Sequence, residues 1–447
     1  MKILKLASII IVFAFSWETY TQVIEITLKD AIGHAYKNDP NIVKLENTID
    51  AQEGNIRESY GKLFPDLKFN TSWSRSNVVV DGGYINQQGI PVVESNQTTN
   101  NFVLQLRSDV TLFDGMVSYD QIDLAKQTKT QYQIQLKKLK QDVAVKILAD
   151  YIAVLKNKQI VAISEATLAD SRAQLDKIKI FVEVGKRTQL DIYNQDVEVA
   201  QNELAVEQAK NTMNKAISDL AFDSNLPMDR NYSVTQSEFI TNLTYETLEA
   251  YVLQNQNTDN LVNVAYKNRV DLRSSVQNLD VLQTNIDIAR GSQYFPTLTG
   301  FGSYSMNGNQ VLKITNQRAF TIGFNLSYPI FQGFQMDNQR QLAIINYKSA
   351  EEDIKLVKNQ IALQIKKAML DLKSLLKQIE ITDRSLKNAE QNKLMAEESY
   401  RVGIGTILEV NTATTNLNNA LITKSNLVYD FIYAQKQLEY YQGILNY

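Results

Sequence analysis

The sequence predicts a mixed α and β membrane protein, a duplicated unit of long coiled-coil helices and β-hairpins. Three observations carry this. Gly115 and Gly185 bracket 69 residues free of glycine and proline, and Gly333 and Gly403 bracket another 69. In the segments just before these tracts the hydrophobic period changes from about 3.6 to 2. Short motifs also recur in the same order in both halves of the chain, at nearly constant offsets.

At the N terminus, Lys2 and Lys5, the apolar run Leu6 to Phe15, and Thr19-Tyr20-Thr21 read as a secretory signal over residues 1–21. That run is too short to span a bilayer comfortably, and no later stretch reaches about 18 apolar residues, so no transmembrane helix is expected. The whole chain of 447 residues carries −3, and losing Lys2, Lys5 and Glu18 leaves the mature chain at −4. This near-neutral balance argues against nucleic acid as a partner. With no Cys and one His, His34, the chain has no disulfide framework, thiol nucleophile, Cys-ligated zinc site or multi-His metal site. Neither an enzyme nor a cofactor is expected, and His34 reads as an ordinary histidine of an amphipathic stretch. Gly300-Phe301-Gly302 and Gly403-Ile404-Gly405 are lone GxG strings, too weak for phosphate binding and better suited to strands and turns.

The two breaker-free tracts, rich in Ala, Leu, Lys, Gln and Glu, read as helices roughly 100 Å long. In the second, Ile354, Val357, Ile361, Ile365, Ala368, Leu372, Leu375 and Ile379 step by three or four, a packing seam. After Gly185, Ile192, Val199, Val206, Met213 and Leu220 recur at every seventh position, and the stretch after Gly405 continues in the same style to Gln442. Each long helix is therefore expected to turn and return antiparallel. Before them, Phe102, Leu104, Leu106, Val110 and Leu112 alternate with Gln105, Arg107, Asp109 and Thr111. Phe320, Ile322, Phe324, Leu326, Tyr328 and Ile330 alternate with Thr321, Gly323, Asn325 and Ser327 in the same way. Strands near 66–80 and 297–306 are expected to pair with these across Gly/Asn-rich turns.

The duplication is explicit in the motifs. Ala35-Tyr36-Lys37-Asn38 recurs as Ala265-Tyr266-Lys267-Asn268, and Phe64-Pro65 as Phe295-Pro296. Phe113-Asp114-Gly115 recurs as Phe331-Gln332-Gly333, and Val184-Gly185, Thr188 and Leu190-Asp191 as Val402-Gly403, Thr406 and Leu408-Glu409, both at an offset of 218. The expected organisation is a first repeat over 22–221 with its hairpin at 66–113, a linker over 222–245 containing Pro227, and a second repeat over 246–447 with its hairpin at 297–331. Four strands with one apolar and one polar face, and no globular partner to cover the apolar one, fit a transmembrane barrel shared between chains. About eight strands make the smallest closed barrel, with a filled interior, so a trimer of twelve strands is the smaller assembly with room for a water-filled pore.

With these residues in this order, the sequence resembles the TolC-like outer-membrane efflux family over about 22–447. The resemblance implies a trimeric 12-stranded outer-membrane β-barrel continuous with a periplasmic α-helical barrel. It also implies a homotrimer in outer-membrane lipid, docked at its tunnel tip by a periplasmic adaptor (membrane fusion) protein and an inner-membrane transporter. The implied function is a passive conduit for small molecules in a tripartite efflux system. The exit duct of a type I protein-secretion system and a structural coiled-coil surface protein are the alternatives. With no Cys, the lipidated N terminus of some members is not expected, nor is a long C-terminal extension.

Carried over from the family, Val184, Gly185, Thr188, Val402, Gly403 and Thr406 fall at adaptor-docking tips, where small side chains let a partner pack closely. Glu409 takes the first acidic position of the gate at the periplasmic constriction, and the second falls on Thr412. Tyr400 matches the family's linking tyrosine, with Asp191 as its partner in the first copy. The linking arginine falls on Gly405, so that clamp is missing, and Arg187 and Arg401 are the candidates to replace it. Independently of the family, Asp191 and Glu409 also suit the positive end of a helix dipole.

Overall fold

The structure, a computed structural model, describes residues 23–80, 83–85, 87–92, 95–235, 244–315 and 317–445. The expected signal segment lies outside the described residues. Strand β1 (Ile24–Ile26) leads into α1 (Leu28–Asn38) and α2 (Pro40–Gly61). Then come β2 (Lys68–Val80), the short β3 (Tyr84–Ile85) and β4 (Pro91–Val92), and β5 (Ser95–Phe113). The long α3 (Val117–Glu183) and its return α4 (Gln189–Asp223) follow. After β6 (Tyr232–Val234), the second half runs through α5 (Tyr245–Gln254), α6 (Thr258–Asn268) and α7 (Val270–Tyr294) to β7 (Thr297–Gly308) and β8 (Gln317–Ser327). It ends in α8 (Gln335–Arg401) and α9 (Ile407–Tyr441). The protein is mostly helical with a smaller sheet, and no described helix is long and apolar enough to cross a membrane.

Both long helices have 67 residues and both return helices 35. Each long helix starts from two successive residues in the left-handed region, Gly115 (φ 72°) with Met116 (φ 70°) and Gly333 (φ 60°) with Phe334 (φ 64°). Glycine makes the first of these two steps easy, which is why it recurs two residues before each helix. In the first copy, the Asp114 carboxylate accepts from the Ser118 amide at 2.9 Å and closes the helix entry.

The Ala-Tyr-Lys-Asn motifs prove to be helix ends. In the first copy Asp39 follows, its side chain accepting from the amides of Asn41 (2.7 Å) and Ile42 (3.1 Å), and Pro40 opens the next helix. This is how an N-cap and an N1 proline restart a chain in a new direction. The sequence predicts one helix before each hairpin; the kink makes two in the first copy, and the second copy has three. A second difference lies in the expected linker. Residues Tyr232–Val234 form β6 there, which pairs in parallel with β1 (Ile24↔Tyr232, Ile26↔Val234), and Tyr151 of α3 donates to the Thr235 carbonyl at 2.7 Å. Three-residue strands of this kind carry no readable period.

Two cores mirror each other across the repeat. One gathers Ile147, Tyr151, Val154 and Leu155 of α3 with α1, α4 and the β1–β6 pair. The other gathers Ile361, Ile365, Met369, Leu372 and Ile379 of α8 with α5, α6 and α9.

The main sheet has the order β2-β5-β7-β8, all antiparallel, so the two copies join through β5 and β7. Its register (Trp73↔Phe102, Leu106↔Tyr304, Tyr304↔Phe320) brings Phe69, Trp73, Leu106, Tyr304, Phe320, Ile322 and Phe324 to one face. The opposite face carries Asn70, Ser72, Gln105, Arg107, Ser303, Ser305, Thr321 and Asn325. Phe301 also lies on the polar face, where the Arg107 guanidinium sits 4.9 Å from its ring centre and Gly323 leaves room for the ring.

One charged cluster of the helical part responds to pH. On α3, Asp150 packs against Asp223 and Asp219 of α4, with Lys146 holding Asp223 at 2.7 Å and Asp39 acting on Lys146 from the start of α2. Burial, the hydrogen bond to Asp223 and that neighbour's charge push the Asp150 carboxyl up to about 7. The folded state therefore holds a proton that the unfolded chain has released. This contribution to stability is complete below about pH 4 and is lost as pH rises through about 7. The apparent melting temperature, followed by helical circular dichroism, is expected to fall between about pH 4 and about pH 7 and to level off above that. In Asp150→Asn that fall should be largely absent; an unchanged pH profile in the variant would assign it to other groups.

Candidate functional site

The turns between long and return helices lie at the end of the helices remote from the sheet and are built alike. At the first, the amides of Val184, Gly185 and Lys186 return to the carbonyls of Ile180, Val182 and Phe181, with Gly185 at φ 73°. At the second, Val402, Gly403 and Ile404 return to Glu398, Tyr400 and Ser399, with Gly403 at φ 93°. Gly185 and Gly403 thus supply the left-handed residue that ends each helix. Thr188 and Thr406 then start the return helices. The Thr188 amide donates to Asp191 Oδ2 at 3.1 Å, and the Thr406 amide to Glu409 Oε2 at 3.0 Å. The Glu409 amide donates back to Thr406 Oγ1 at 3.3 Å, completing a capping box. Local capping alone therefore accounts for the matched positions of Asp191 and Glu409. Thr412 is exposed and donates to the Leu408 carbonyl at 2.8 Å within its own helix.

Tyr400 is the centre of the tip. Only 2 % exposed, it packs with Ile178, Ile407 and Val410, and its hydroxyl has no hydrogen-bond partner among the described residues. It is therefore not bonded to Asp191, although Asp191 acts on it electrostatically. Burial, then the Asp191 charge, push its hydroxyl above the ordinary tyrosine range against the opposing pull of Arg187. The link between copies runs instead through Arg187. Its guanidinium lies 3.9 Å from the Tyr400 ring centre and donates to the Tyr400 carbonyl. That carbonyl belongs to the last turn of α8, where a cation also meets the negative helix end. Arg401, the other candidate, is engaged by Glu398 on its own helix.

Around the glycines the tip is apolar and exposed: Val184, Val402, Ile404 (83 % exposed) and Leu408 (71 %) have little cover. In the sequence Ile404 stands only within a GxG string and Leu408 only within the repeated turn motif, and neither setting signals that the side chain stays uncovered. His34, on α1, faces Asn38 at 3.0 Å.

A sheet that is apolar on one face and polar on the other, continuous with paired 67-residue helices ending in such tips, defines the class as an outer-membrane channel protein. The family model described as outer membrane efflux protein matches residues 31–222 and 261–443, and the chain belongs to that family. It is 24 % identical over 431 residues to the outer membrane protein TolC of Salmonella enteritidis, covering 92 % of this chain and 80 % of the relative. To the TolC of Vibrio cholerae it is 22 % identical over 433 residues, covering 94 % and 91 %. Among solved structures, the outer membrane protein VceC of Vibrio cholerae superposes with a TM-score of 0.74 at 16 % identity, covering 93 % of this chain and 96 % of that one. The protein is accordingly an outer-membrane protein of a family of channels.

Proposed function

We propose that the protein is the outer-membrane channel of a tripartite efflux system, a homotrimer that conducts small molecules passively from periplasm to exterior. The observation that carries this reading is the sheet. Among the described residues its β2 and β8 edges are both unpaired, and its apolar face is exposed, so further copies are needed to close it in lipid. In this reading the polar face lines the pore, the helices continue it through the periplasm, and an adaptor with its inner-membrane transporter meets the apolar tips at Val184, Gly185, Thr188, Val402, Gly403 and Thr406. Arg187 and Tyr400 form the clasp that joins the two helical hairpins at the closed end. Three Glu409 carboxylates surround the constriction, each sharing its charge with a helix cap, and Thr412 leaves the second position uncharged.

Planar-bilayer recording of the purified protein tests this. Losing a cation–π contact together with a charged hydrogen bond removes about 1–2 kcal/mol, so Arg187→Ala is expected to raise the open-to-closed ratio roughly tenfold. Glu409→Gln should lower cation selectivity and block by trivalent cations, and Thr412→Asp should strengthen that block. A protein that inserts but never conducts would remove the channel reading. A conducting one indifferent to all three substitutions would move the gate elsewhere.

A further inference from the structure

The repeated motifs meet each other in one place and are left open in another. Inside the chain, the Phe-x-Gly turn of the first copy packs on the Phe-Pro corner of the second. Phe113 stacks edge-to-face on Phe295 with ring centres 6.1 Å apart. Gly115 and Gly291 touch so closely that a Cβ on either would lie 2.7 Å from the other's carbonyl oxygen. An offset of 218 turns Phe113 and Gly115 into Phe331 and Gly333; Phe295 becomes Phe64 at 231 and Gly291 becomes Gly61 at 230, the first-copy corner being one residue shorter between its glycine and its phenylalanine. These four equivalents make no such junction in the single chain. Phe331 is 72 % and Phe64 68 % exposed, against 39 % for Phe113 and 49 % for Phe295, and a Cβ on Gly61 or Gly333 would meet nothing within 4 Å.

We infer that the Phe331-Gly333 turn of one copy docks on the Gly61-Phe64 corner of the next, repeating between chains the junction found within one. The inference rests on the oligomeric-barrel reading above and adds to it the residues of the contact and the register of the seam. The register comes from the same offsets. Within the chain, β5 meets β7 with Leu106 opposite Tyr304 and Val110 opposite Gly300. Moved by the repeat, β8 meets the neighbouring β2 with Phe324 opposite Trp73, and Tyr328, just past the end of the strand, falls opposite Phe69. All four are exposed aromatic residues in the single chain, and this register sets them side by side on the apolar face. A register shifted by one residue would turn Trp73 and Phe69 to the polar side. The contact is heterologous: each copy offers the turn on one flank and receives it on the other, so it propagates until the ring closes.

Because the natural chain has no Cys, paired cysteines read the contact directly. Phe64→Cys with Phe331→Cys, treated with a short bifunctional thiol cross-linker in membranes, should give covalent dimers and trimers on a denaturing gel. Phe113→Cys with Phe295→Cys should cross-link within the chain and stay at monomer size. Gly61→Leu gives an independent readout. The single chain has open space for this side chain, but the neighbour's turn does not, so trimer yield should fall roughly tenfold or more. The inference is overturned if non-covalent trimers form and the Phe113/Phe295 control cross-links while Phe64/Phe331 does not, or if Gly61→Leu leaves trimer yield unchanged. If the unmodified protein forms no oligomer at all, the barrel reading itself fails and the inference goes with it.

Discussion

Replacing Gly185 and Gly403 together by Trp is expected to abolish export while leaving the amount of trimer unchanged. Both positions lie at the extreme tip, and a Cβ on either would meet nothing within 4 Å, so the indoles project outward from the turns. The left-handed backbone (φ 73° and 93°) adds strain of about 1–2 kcal/mol per site, confined to a turn whose flanking helices are anchored elsewhere. What two indoles obstruct is close approach of another protein to the apolar patch of Val184, Val402 and Ile404. The measurements are substrate accumulation in cells and the trimer band of solubilised membranes. Normal export by the double variant would place the partner contact elsewhere, and loss of the trimer band would make the effect one of folding.

The largest effect on folding is expected at Arg269, between α6 and α7. Its side chain is buried, donating to Asp271 and, at 2.9 Å, to Gln364 of α8, and at 3.4 Å to the Tyr441 carbonyl of α9. Tyr440 continues the network to Asp142 of α3, which Lys138 holds at 2.7 Å. Burial raises the Asp271 carboxyl, yet the hydrogen bond and charge of Arg269 outweigh it and hold it below its ordinary value. Arg269→Leu strands that carboxylate and should cost about 3–5 kcal/mol, seen as a large drop in melting temperature and trimer yield. Arg269→Lys should rescue little, because one ammonium cannot reproduce the fork. Arg269→Leu with Asp271→Leu should recover part of the loss, since no charge is then left buried alone. A melting temperature unmoved by Arg269→Leu would show that the network is incidental.

Much of this architecture is legible in the amino-acid sequence. Two breaker-free tracts of equal length gave the long helices, and strict alternation gave the strands, because both patterns record which face of a regular element is covered. The turn motif Val-Gly-x-x-Thr-x-x-Asp/Glu is legible for a different reason. Its glycine is needed for a left-handed φ, and its threonine and acid close a capping box, all within eight residues. The kink at Asp39-Pro40 left a local signal too, but its counterpart at Arg269 did not, since a buried arginine looks like any other in a charged stretch. The β1–β6 pair is too short to show a period.

The candidate site divides along the same line. From the sequence alone, Asp191 and Glu409 were matched acids and Arg187 was one of two possible replacements for an absent clamp. Three-dimensional packing engaged Arg401 with its own helix and laid Arg187 on Tyr400, more than 200 residues away. Likewise the repeated Phe and Gly motifs were visible as repeats, but only the fold showed that one pair meets within the chain and its twin remains open. The sequence by itself determined the lengths, periods, turns and duplication, because each follows from backbone geometry and burial within a few residues. The tertiary structure alone decided the clasp, the buried Arg269 network and the unfilled junction. Those depend on which distant side chains are brought within reach, and no local pattern encodes that distance.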